Sequence, residues 1–153
     1  NSEIREAGRS EFNLDDALWI LPKDRSKTKK AIRRPLSDKS VELIKQLDLI
    51  YGKDRKYLIE GDKKGAPLTT HAVNRFVQRM NNHLKFEPFV PHDFRRTIST
   101  RLSENKVHPH VTENMLGHVL GGVMAIYNKH DWLDEQREAY QLYWKLIENA
   151  LNK

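Results

Sequence analysis

Residues 91–118 read PHDFRRTISTRLSENKVHPHVTENMLGH, and their punctuation divides them into two helices. Pro91 suits a first helical turn, where a missing N–H costs nothing. Phe94, Ile98 and Leu102 then recur at i, i+4 and i+8, which predicts a helix over residues 92–103 with one apolar face. Pro109 repeats that opening, and Gly117, free to take a left-handed backbone, closes a short second helix. The polar residues of the same stretch carry the chemistry. His92 and Arg95 stand three apart, on one face near a helix N-terminus. A guanidinium with paired donors, beside free backbone N–H groups, suits an anion there. His118 follows the glycine turn, which presents its side chain to a cleft. An ordinary surface pair also reads His-x-x-Arg, so the weight falls on what surrounds it.

Upstream, Val73, Phe76, Val77, Met80 and Leu84 stand at i, i+3, i+4, i+7 and i+11, which predicts a core helix begun by Thr69 or Thr70. Trp19-Ile20-Leu21-Pro22 and Arg33-Arg34-Pro35-Leu36 read as two short strands of a hairpin, held by its prolines to a sheet edge or to strand ends. Ser37 caps a helix carrying Val41, Ile44 and Leu47. Residues 52–65, rich in Gly, Lys and Asp, read as surface, and residues 1–7 as the later part of a helix. Downstream, Gly121-Gly122 punctuates before residues 123–127. A last helix over residues 133–152 aligns Ala139, Tyr143, Leu146, Ile147 and Ala150. No repeat or linker interrupts this pattern, so residues 1–153 read as one domain, mainly α with a small antiparallel β-sheet (α+β).

The composition agrees with one domain: 153 residues, 38% hydrophobic and 31% charged. The formal net charge of +6 favours an anionic partner, nucleic acid first. Zero cysteines exclude a disulfide scaffold, a zinc finger and a Cys nucleophile. No apolar run reaches the length of a membrane span, and no signal peptide opens the chain, so a soluble cytoplasmic protein is expected. The densest charge lies on the hairpin. Lys23, Arg25, Lys27, Lys29, Lys30, Arg33 and Arg34 put seven basic groups in twelve residues, opposed by Asp24 alone. On a projecting arm that density suits phosphate contact; a solvated basic loop would look the same. Tyr127, nine residues after His118, is flanked by polar Asn128, Lys129 and His130, whereas Tyr140 and Tyr143 lie on an apolar helix. His108 and His110 invite a metal, but Pro109 between them and the lack of a suitably spaced Cys or Glu argue for none.

The series of basic hairpin with Lys27, His92-x-x-Arg95, Leu116-Gly117-His118 and Tyr127, in that order and spacing, resembles the catalytic domain of the tyrosine recombinase (phage integrase) family. The wording of residues 115–130, MLGHVLGGVMAIYNKH, is similar to integrases of prophages and genomic islands, and Ser2 to Ala7 and Trp19 to Pro22 match that group's opening. The resemblance implies that Tyr127 is the nucleophile, Arg95 the second catalytic arginine, and His92 and His118 the two histidine-type positions. Lys27, eight residues before Pro35, matches the hairpin lysine. Lys29, Lys30, Arg33, Arg34 and Arg96 are then the expected DNA contacts.

The same resemblance implies a site-specific recombinase that integrates and excises a mobile element through a 3′-phosphotyrosine, without metal or other cofactor. Its expected partners are duplex attachment sites, three further copies in a tetramer on DNA, an excisionase and DNA-bending host proteins; free, it is expected to be a monomer. The family's first catalytic arginine would stand immediately before Asn1, together with preceding DNA-binding domains. Arg5 does not replace it, because five helical residues turn a side chain about 140° round at 3.6 residues per turn. A non-catalytic DNA-binding fragment of this fold and a type I topoisomerase-like nicking-closing enzyme are the alternatives.

Overall fold

Local signals set most of the element boundaries in the computed structural model, which describes residues 2–84, 87–118 and 131–152. A single helical turn, α1 (Ser2–Arg5), leads through a 3-10 turn (Arg9–Glu11) into β1 (Phe12–Asn13), β2 (Leu18–Leu21) and β3 (Ile32–Pro35). The three strands form an antiparallel sheet in the order β1-β2-β3, with Trp19 opposite both Phe12 and Arg34. The expected hairpin is therefore present, on an edge strand that tolerates Pro35. Ser37 accepts a hydrogen bond from the Ser40 N–H at 3.2 Å and starts α2 (Asp38–Tyr51), which Gly52 ends at φ +82°. Thr69 does the same for the Ala72 N–H at 3.0 Å and starts α3 (Thr70–His83). Prolines open α4 (Pro91–Glu104) and α5 (Pro109–Met115), and α6 (Leu133–Leu151) closes the chain. The architecture is mainly helical with one small antiparallel sheet, as the periodicity predicts.

Among the described residues the apolar interior forms two clusters, each drawn from one half of the sequence. Ala7, Phe12, Leu36, Ile44 and Leu58 make the first, with Val41 and Leu47 of α2 packed against it and Phe12 stacked on Trp19 at 5.3 Å between ring centroids. Leu102, Val111, Met115 and Ala139 make the second, joining α4, α5 and α6. Leu102 is fully buried, a change worth about 1.5–3 kcal/mol for a side chain of its size. Beside the first cluster, Asp48 is gripped by Arg9 (Nη2 to Oδ2, 2.5 Å) and Arg55 (Nη1 to Oδ1, 2.7 Å). The side chains of Asp48 and Arg55 are almost fully buried, so the ion pairs satisfy charges that would otherwise be costly.

Several expectations are corrected. α3 is not a core helix: of its apolar residues only Val77 is buried, and Phe76 is 57% exposed. Helical spacing tells which side chains share a face, not whether another element covers it. Residues 52–65 are not all surface, because Leu58 is buried and its N–H donates to the Ala7 carbonyl at 2.7 Å, beside a bridge between Gly8 and Tyr57. On α4 the apolar face is graded, with Phe94 58% exposed and packed edge-on against Phe89, Ile98 half-buried and Leu102 enclosed. Finally, α6 packs in cis on β3, α4 and α5 through buried Gln136 and Ala139, while Ala150 and Leu151 at its far end stay exposed. Among the described residues no helix is long and apolar enough to cross a membrane.

Candidate active site

The end of α5 sets the site's geometry. Gly117 takes a left-handed backbone at φ +69°, its N–H donates to the Asn114 carbonyl at 2.9 Å, and the His118 N–H donates to the Glu113 carbonyl at 2.9 Å. That pair of bonds is a Schellman cap, which turns the chain back over the helix end. The turn lays His118 over the last turn of α5 and beside the N-terminal half of α4. There Arg95 Nη2 donates to the Leu116 carbonyl at 2.5 Å and meets His118 Nε2 at 2.6 Å, while His118 Nδ1 lies 2.5 Å from Glu113 Oε2. His92, Arg95, Arg96, Glu113, Leu116 and His118 line one open cleft of about 500 Å³, with Ser99 and Thr100 on its wall. Four predicted site residues, His92, Arg95, Arg96 and His118, from two separate motifs thus share one surface. At its rim Asp93 accepts from the Val90 N–H at 2.8 Å, which holds its carboxyl below the ordinary range, with Arg96 at 3.4 Å adding to the effect.

The hairpin divides its basic residues into two sets. Lys23, Lys27, Lys29, Lys30 and Arg33 are exposed. Arg33 reaches Asp131 at 3.3 Å, tying β3 to the segment before α6. Arg25 turns inward to the Glu11 carboxylate and the Glu3 carbonyl. Arg34, expected as a DNA contact, is corrected: it is 6% exposed, pairs with Glu3 at 3.0 Å and lies 5.0 Å over the Trp19 ring. Its cross-strand place opposite Trp19 turns it into the protein. Lys27 follows buried Ser26 and is not among the residues lining the cleft. Arg96 is exposed at the cleft.

Tyr127 lies outside the described residues, as do Gly121 and Gly122. Of the described tyrosines, Tyr140 approaches the cleft from α6. Its hydroxyl donates to the Met115 carbonyl at 3.4 Å, and burial pushes its pKa up against the nearby charges of Arg34 and Arg95. Burial also raises Tyr143. Both favour the neutral phenol, as side chains packed against the core should. His108 and His110 stack on each other at 5.4 Å, and His110 packs on Trp132 at 4.4 Å. No group of three potential metal ligands occurs among the described residues. Sequence reasoning missed Glu113; its signal is a Glu five residues before His118 across a helix-ending glycine.

A small three-stranded antiparallel sheet thus accompanies a helical body on which His92, Arg95 and His118 share one cleft. The chain belongs to the phage integrase family, whose model matches residues 1–132. It is 28% identical over 151 residues, 98% of this chain, to the prophage integrase IntZ of Escherichia coli strain K12, of which it covers 37%. It is 27% identical over 93% of its length to the integrase of Shigella phage Sf6, covering 36% of that protein. The prophage integrase IntS of the same E. coli strain is 32% identical over 72% of this chain, which covers 28% of it. The chain therefore spans between 28% and 42% of the length of the curated relatives it matches.

Proposed function

We propose that this chain is the catalytic domain of a site-specific DNA recombinase that cuts and rejoins duplex DNA through a 3′-phosphotyrosine, integrating and excising a mobile element. The convergence of His92, Arg95 and His118 on one open cleft beside a basic hairpin carries the reading. The Tyr127 oxygen attacks a backbone phosphorus in line, a tyrosyl–phosphorus bond forms, and the bond to the 5′-oxygen breaks. The phosphate charge that builds up is met by Arg95, a donor already in place, and by His118 once its ring has taken up a proton. His92 takes the tyrosine proton and Lys27 gives one to the departing 5′-oxygen. The bond energy stays in the phosphotyrosine, so a second strand's 5′-hydroxyl reverses the step without ATP. Lys29, Lys30, Arg33 and Arg96 hold the DNA by its phosphates, and four copies assemble on paired sites.

The test uses the full-length protein with a nicked substrate that traps the covalent adduct. Tyr127→Phe should abolish the adduct and spare DNA binding, because only the nucleophilic oxygen is lost. A normal adduct yield in that variant rejects Tyr127. Strand exchange between two labelled sites, rather than supercoil relaxation alone, separates a recombinase from a nicking-closing enzyme.

A further inference from the structure

In a Schellman cap the residue after the glycine comes to rest on the residue five positions earlier, and that contact is commonly apolar. Here it joins two polar side chains, Glu113 and His118, with Oε2 2.5 Å from Nδ1. The other ring nitrogen, Nε2, lies 2.6 Å from Arg95 Nη2. A guanidinium only donates, so Nε2 must accept and the ring proton must sit on Nδ1. A carboxylate only accepts, so Glu113 asks for the same arrangement. Two independent partners on two helices thus select one tautomer. The side chains of His118 and Glu113 are 48% and 41% exposed, so the pair adds little to stability and its effect lies in orientation.

We propose that Glu113 is a positioning residue that holds His118 in the Nδ1–H tautomer with Nε2 turned to the cleft. This rests on the phosphoryl-transfer reading for its consequence: a phosphate that draws away the Arg95 donors frees Nε2, and a proton taken up by the ring can go only there, to be shared with a non-bridging oxygen. An anchored Nδ1–H is how a carboxylate orients a histidine in other proton-transfer sites. Glu113 does this through the imidazole ring, by a contact that the glycine turn sets up.

The experiment uses full-length protein, wild type and with Glu113→Gln or Glu113→Leu. Ring-nitrogen NMR of histidine-labelled, DNA-free protein reads the tautomer, with His118→Asn identifying the signal. Wild type and E113Q, which keeps an acceptor, should show Nδ1–H; in E113L, where Arg95 alone still selects it, the Nδ1–H population should fall and the ring signals move toward a mixture of tautomers. Single-turnover cleavage should fall roughly 10- to 100-fold in E113L, part of the range for acid–base groups, at unchanged DNA affinity, and E113Q should restore most of it. An apolar residue is usual at that cap position, so an unchanged thermal midpoint verifies folding of E113L. A wild-type ring in the Nε2–H form overturns the proposal without any variant, as does E113L cleaving at the wild-type rate. Absence of any wild-type adduct would instead reject the recombinase reading, and the NMR result would still decide the role of Glu113.

Discussion

Gly117 meets two requirements that no other residue can meet together. Its φ of +69° is strained for any side chain, and a Cβ there would lie 2.5 Å from Nη2 of buried Arg34. Gly117→Ala should therefore destabilise the protein by about 1–3 kcal/mol, measured by urea unfolding. Arg34→Ser in the same chain should recover the steric part and leave the backbone part, a non-additivity that a double-mutant cycle reads directly. The glycine was legible in the sequence as a helix stop, because a left-handed cap is local chemistry. Its contact with Arg34 was not, since that depends on a strand more than eighty residues earlier turning its guanidinium inward. Glu113 was missed for a related reason: its partner is set by a cap geometry, and not by the helical spacing that guided the reading.

Among the elements, the hairpin shows what counting charges leaves out. Seven basic residues in a row of twelve look alike in sequence, but Glu3 and Glu11 draw Arg34 and Arg25 inside and leave the lysines and Arg33 outside. Replacing Lys29, Lys30 and Arg33 with Ala should weaken binding to every DNA sequence alike. It should also flatten the salt dependence by up to about 3 in logarithmic slope, each phosphate contact releasing close to one counterion. Helix starts were legible because Ser37, Thr69, Pro91 and Pro109 act through the backbone next to them. The cover over α3 was not, because Phe76 and Val77 have the same character in sequence and only the arrangement of other helices separates them. The strand β1, two residues long, is too short for alternation to show.

For the molecule as a whole, acid stability should follow Asp48. Its hydrogen bonds from Arg9 and then Arg55 lower its pKa from 3.8 to about 2. A folded-state value below the unfolded one means that the contribution is complete above 3.8 and fades as pH falls toward 2. Thermal midpoints against pH should show that loss in the wild type and a flatter acid limb in Asp48→Asn. Asp48→Ala, which leaves buried Arg55 unpaired, should cost about 3–5 kcal/mol near neutral pH, read from chemical denaturation. Removing residues 134–153 should end the cooperative unfolding of the α4 and α5 half, because Ala139 belongs to that half's own core. The division of that core has a consequence for motion. Between the two apolar clusters the links described are largely polar, Arg33 to Asp131 and Arg34 beneath Gly117, together with α6 lying across β3. A seam of that kind opens before either side melts, so amide hydrogens of the sheet and α2 should exchange as one cooperative group and those of α4, α5 and α6 as another. Lys27 would then ride on one body and His92, Arg95 and His118 on the other, and the distance between them becomes something that clamping onto a duplex can set.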